Sequence, residues 1–131
     1  MNQDNQNLLD HCVEYATDLL NETGEAYPFG GFIDSVGQVH PMEMEIDNKN
    51  VPNIGKVVQT LSKFGNEELS HDRIRAYAVT YEVKVDISED ETQDCIAIDI
   101  KNPEEELPVF YLPFQKREEE MLIGELFAVA R

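Results

Sequence analysis

The chain has 131 residues, which fits one domain spanning residues 1–131. Ten Lys and Arg stand against 27 Asp and Glu, a formal net charge of -17. A surface so acidic repels phosphate backbones and excludes a nucleic-acid partner unless a basic patch is built. Hydrophobic residues at 41% and aromatics at 8% exclude a wholly disordered chain.

Leu8, Leu9, Cys12, Val13, Ala16, Leu19 and Leu20 repeat with the period of one helical stripe, predicting a helix over residues 5–22. Asp4 or Asn5 is placed to cap its start, and Gly24 follows its end. Asp34-Ser35-Val36-Gly37 then separates two extended runs and reads as a hairpin turn, with glycine free to take positive φ. In the second arm Met42, Met44 and Ile46 alternate with Glu43 and Glu45, the mark of a half-buried strand, and Pro41 suits an edge. Residues 47–51 form a polar connection, and Pro52 suits a first helical turn. Ile54, Val57, Val58, Leu61 and Phe64 predict a second helix, stopped or kinked at Gly65.

A third strand places Tyr77, Val79, Tyr81, Val83 and Val85 on one side, taken as its core side beside Ile96, Ile98 and Ile100. Residues 88–93 form the hairpin loop to the fourth strand, which holds those isoleucines, and residues 107–114 a fifth. Residues 121–129 suit a helix through Met121, Leu122, Leu126 and Val129, or a strand through Ile123, Phe127 and Val129. The expected fold is α+β, in the order helix-strand-strand-helix-strand-strand-strand. A curved antiparallel sheet of five or six strands would carry both helices on one face.

This element order resembles the profilin-like architecture. The run Tyr27-Pro28-Phe29-Gly30, followed by Ile33-Asp34 and Gly37, resembles small uncharacterised bacterial α+β proteins, some of immunity-protein type. That resemblance implies a protein-interaction role and carries no catalytic residue over to this chain.

Chemistry-bearing patterns are sparse. His11, His40 and His71 lack ligand spacing, and His11 and Cys12, adjacent on a helix, point about 100° apart. No metal and no cofactor are therefore expected. Glu89, Asp90, Glu91 and Asp94 are rich in oxygen ligands but lack the calcium-loop pattern, leaving a solvated hairpin tip as the simpler reading. The serines lack a nucleophile frame and Gly30-Gly31 lacks a phosphate-loop continuation, so no enzyme is expected. No run of residues is long and apolar enough to span a bilayer, and the opening residues lack the basic and apolar regions of a leader. A cytoplasmic location without membrane contact is expected.

Two surfaces remain as candidates. Asp86, Glu89, Asp90, Glu91 and Asp94, with Glu104, Glu105 and Glu106, are expected at one end or edge of the sheet, as a face for a basic protein partner. The same charge can equally be a solubility device. Tyr27, Phe29 and Phe32 flank two glycines, either to admit another chain or to fill the space between the first helix and the sheet. The leading expectation is a non-enzymatic interaction module, an acidic immunity-type protein binding a basic domain. The alternative is a small-molecule or sensory domain with a pocket between helix and sheet.

Cys12 and Cys95 read as free, buried thiols. Both should react slowly with a thiol reagent in native protein and quickly after unfolding. An intramolecular bridge found by mass spectrometry would overturn this.

Overall fold

A computed structural model describes residues 1–43 and 53–131. Helix α1 (Gln3–Thr23) buries Leu8, Leu9, Cys12, Ala16 and Leu20 along its stripe. Its cap is Asn2 rather than Asp4 or Asn5: the Asn2 side chain accepts the Asn5 N–H at 2.8 Å, while Asn5 is itself buried inside the first turn. Gly24, at φ 77°, closes the far end by donating to the Leu20 carbonyl.

Strands β1 (Phe29–Asp34) and β2 (Val39–Met42) form the expected hairpin, with Gly37 at φ 86°. The Asp34 carboxylate accepts the Val36 and Gln38 N–H groups and pairs with His40 Nε2 at 2.6 Å. The Gln38 amide, then His40, holds the Asp34 carboxyl below its ordinary range. Pro41 lies in β2, at one edge of the sheet. The predicted continuation through Met44, Glu45 and Ile46, the connection at 47–51 and Pro52 lie outside the described residues.

Helix α2 (Ile54–Ser70) is capped by Asn53, whose side chain accepts the Lys56 N–H. It runs straight through Gly65, where a stop or kink is predicted. The helix needs glycine there for proximity: a Cβ at Gly65 would lie 2.5 Å from the Tyr77 ring. One residue on, Asn66 accepts the Tyr77 hydroxyl at 2.7 Å. Val57 and Leu61 are buried along the same stripe, whereas Ile54, in the first turn, and Phe64 are exposed.

Strands β3 (Ile74–Asp86), β4 (Thr92–Lys101) and β5 (Val109–Arg117) make the centre of an open antiparallel sheet. The C-terminal ambiguity resolves into two short strands, β6 (Glu120–Ile123) and β7 (Phe127–Val129), both paired to β5. The order is β2-β1-β3-β4-β5-β6 with β7 beside β5, seven strands among the described residues where five or six are expected. The class is α+β.

The helices do not share a face. In antiparallel pairing, residues directly opposite point to the same side. Ala78 opposes Ile100, Thr80 opposes Ile98 and Glu82 opposes Ile96, so the β4 isoleucines lie with Ala76 and Ala78 under α1. Tyr77 and Val79 point the other way, packing with Val57 and Leu61 of α2. The expectation of two helices on one face, with the β3 tyrosines and valines beside the β4 isoleucines, is corrected on both counts. Its error is to treat β3 as one-sided, when residues 76–80 are buried on both sides.

Truncating Ile98 to Ala should therefore cost about 2–5 kcal/mol. Truncating Val83 to Ala, on the other face and only half-buried, should cost below about 1 kcal/mol. Chemical denaturation giving equal losses would reject this assignment of faces.

Candidate functional site

The expected acidic face is divided by topology. The loop from β3 to β4 holds Glu89, Asp90 and Glu91 close to Asp86 and Asp94, whereas Glu104, Glu105 and Glu106 lie in the loop from β4 to β5. Successive hairpin turns fall at opposite ends of the strand they share. The ten residues of β4 set the two clusters about 30 Å apart. Asp94 is paired to Lys84 at 3.0 Å.

Glu105 has a structural task. Its Oε1 accepts from Asn5 Nδ2 at 2.7 Å and from the Asn2 amide at 3.2 Å. Asn5 Oδ1 in turn accepts from Asn102 Nδ2 at 2.9 Å. This network ties the start of α1 to the β4–β5 loop and holds the Glu105 carboxyl below its ordinary value, with the Asn5 bond the largest cause. Glu104 lines a cleft of about 570 Å³ with Asp4, Asp72, Arg75 and Asn102. In that cleft Arg75 is engaged, donating to Asp4 and to the Ser35 carbonyl.

The aromatic run is divided between the two faces. Phe29 is buried under α1, edge-on to Tyr15 at 4.5 Å, which fulfils the packing role. Phe32 lies on the α2 side, stacked on His40, and Tyr27 packs with the same cluster. The chain that approaches Gly31 is this chain's own α1: a Cβ there would lie 3.0 Å from His11 and 3.1 Å from Leu8.

The surface that sequence reasoning missed is the second face of the sheet beyond α2. Helix α2 packs on β3 and β1, and nothing among the described residues covers β4, β5 and β7 on that side. The register places Tyr81, Ala97, Tyr111 and Phe127 in one row across four strands, and Val83, Cys95 and Pro113 in the next. Tyr111 and Phe127 stack at 5.4 Å. Phe127 is 38% exposed, Leu122 40% and Val129 47%, as expected of an apolar surface without a covering layer. Ala97 and Cys95 are short side chains fully shielded by the larger Tyr81, Val83, Tyr111 and Pro113 beside them. The available signal was the contrast in β4 between bulky Ile96, Ile98 and Ile100 and the small Cys95 and Ala97 opposite.

On this face two cations share one carboxylate. Asp99 binds Arg131 and lies 4.0 Å from Lys101, and Arg117 stands opposite Glu120. A second apolar groove, of about 360 Å³, lies between α2 and the β1–β2 edge and is lined by Phe32, Pro41, Met42, Leu61 and Phe64. Among the described residues no group of three or more His, Cys, Asp and Glu is arranged to hold a metal. No helix there is long and apolar enough to cross a membrane. Comparison with family models, curated proteins and solved structures finds no match for this chain.

Replacing buried Asn5 with Ala should cost about 1–3 kcal/mol, because Asn102 and Glu105 lose a partner. Glu105 also makes stability depend on pH. A carboxyl held low in the folded state contributes fully above its unfolded value of 4.5, and that contribution fades as pH falls through the folded value. The stability gap between wild type and Glu105→Gln should therefore be constant above about pH 5 and shrink in acid. A gap that widens in acid, in parallel denaturation series, would reject the network.

Proposed function

We propose that this protein is a non-enzymatic interaction module that docks a protein partner on the uncovered half of its sheet. The observation that carries the reading is the row Tyr81–Ala97–Tyr111–Phe127, an apolar surface that nothing among the described residues covers, in a chain of net charge -17. Apolar surface of this kind marks contact sites, and aromatic residues are enriched where contacts are strongest. The acidic remainder of the molecule favours a basic partner and speeds its encounter. An immunity-type role in the bacterial cytoplasm, neutralising a basic toxin domain, fits within this reading.

A second reading, a small-molecule or sensory domain, draws its support from the groove beside α2, whose walls are mostly apolar. Its sign would be a co-purified ligand in native mass spectrometry, lost in Phe64→Ser.

The test of the first reading is capture of the native partner by wild type and by the double variant Tyr111→Ser, Phe127→Ser, which is chosen on half-buried and exposed positions. The double variant should lose the partner while unfolding at nearly the wild-type denaturant concentration. Raising salt from about 50 to about 500 mM should lower the on-rate of wild type at least about tenfold. Full retention of the partner by the folded double variant would remove the site from this face. A salt-independent on-rate would reduce the charge to a solubility device.

A further inference from the structure

Among the described residues one buried polar side-chain atom has no hydrogen-bond partner, Nε2 of His11. Such orphans are rare in folded proteins, because a buried polar group without a partner gives up its hydration with no replacement. The ring leaves α1 on the sheet side, where Gly31 of β1 makes room for it. A Cβ at Gly31 would lie 3.0 Å from the His11 Cδ2 and 3.2 Å from the His40 carbonyl oxygen. Neutral imidazole tolerates this place, since one of its nitrogens carries no proton. The charged ring carries a proton on both, and the one on Nε2 would lie without an acceptor.

The titratable groups around the ring do not repair this. On α1, Asp10 is exposed and accepts from Gln6, Glu14 is exposed, and Tyr15 stacks on His11 at 6.3 Å. From the end of β2 comes Glu43, whose carboxylate accepts the Tyr15 hydroxyl and by that bond pushes Tyr15 up to about 12. On this side β1 offers Phe29, Gly31 and Ile33, none of which titrates. His40 and its partner Asp34 lie on the other side, with Phe32. Burial lowers the His11 pKa, and the charges of Glu14 and Glu43 offset this only in part.

The element free to yield is β2. Helix α1 cannot leave the sheet without uncovering Leu8, Cys12 and Ala16, all fully buried. Strand β2 is outermost and four residues long, and Met42 alone among its residues is buried. We propose that His11 is a proton-operated catch between α1 and this edge: neutral, it lets β2 close on β1, and charged, it loosens β2 and bares the outer side of β1. The catch lies away from β4, β5 and β7 and works whether or not a partner docks there.

Below the unfolded value of 6.5 the unfolded chain takes up a proton that folded His11 refuses, so stability falls as pH falls past that value. Asp34 and Glu105, the carboxyls held low, lose their contributions only below their unfolded values of 3.8 and 4.5. The denaturation midpoint of wild type should therefore fall between about pH 7.5 and about pH 5. In His11→Leu that fall should shrink to less than about half, while His71→Gln, at an exposed position, should keep it whole. Amide exchange of wild type, corrected for the intrinsic effect of pH, should show at least about tenfold less protection in the β1–β2 ladder at about pH 5, with the β3–β4 ladder unchanged. That measurement needs no variant and decides the matter even where His11→Leu does not fold. An equal fall in His11→Leu, or protection lost evenly over the whole sheet, would overturn the proposal. So would a midpoint that rises in acid, the sign of a charged ring that has found Glu43 or Glu14.

Discussion

The structure depends on the close approach of both helices to the N-terminal half of β3. Ala76 and Ala78 are small enough to admit α1 on one side, and Gly31 in the neighbouring strand lets Leu8 and His11 reach the sheet backbone. On the other side Gly65 brings α2 against the Tyr77 ring. Residues 76–80 are consequently sealed from both directions, a condition expected of sheets with helices on both faces. Helix α2 is centred on this point, and its footprint ends where β4 begins.

The two faces thus differ in how completely they are finished. Under α1 lie Ile96, Ile98, Ile100, Leu112 and Phe114, a continuous core. On the opposite face the described residues close the sheet over β1 and β3. Burial pushes the Cys12 thiol up to about 12, and Cys95, shielded among larger side chains on the open face, is also raised. Both thiols are free. The polar tie from Asn5 to Glu105 and Asn102 anchors the start of α1 to the β4–β5 loop.

Much of this was legible in the sequence. The helical stripe from Leu8 to Leu20, the glycine that ends it, the Asp34–Gly37 turn and the alternation in β3 and β4 are local signals, and local geometry obeys them. The side of the sheet to which each helix goes was not legible. That choice depends on partners far apart in sequence, and the alternation in β3 offers apolar residues in both directions. Gly65 shows the same limit: its helix-breaking tendency is local, but its reason for being there is Tyr77. The acidic residues were visible one by one. Their separation to the two ends of β4 follows only once the hairpins are drawn, and Glu105 looks like its neighbours until Asn5 is placed beside it.

The edges of the sheet bear on how it can associate. At one side β2 is four residues long and contains Pro41, which removes a donor from any further ladder. At the other, the outer side of β5 is divided between β7 and β6, three and four residues long, with Gly124 after β6 still donating to the Pro113 carbonyl of β5. Among the described residues neither border offers a long straight template, so sideways growth into an intermolecular sheet, the route to fibrils, is blunted there. The described margins thus leave the apolar face of β4, β5 and β7 to be met broadside to its strands.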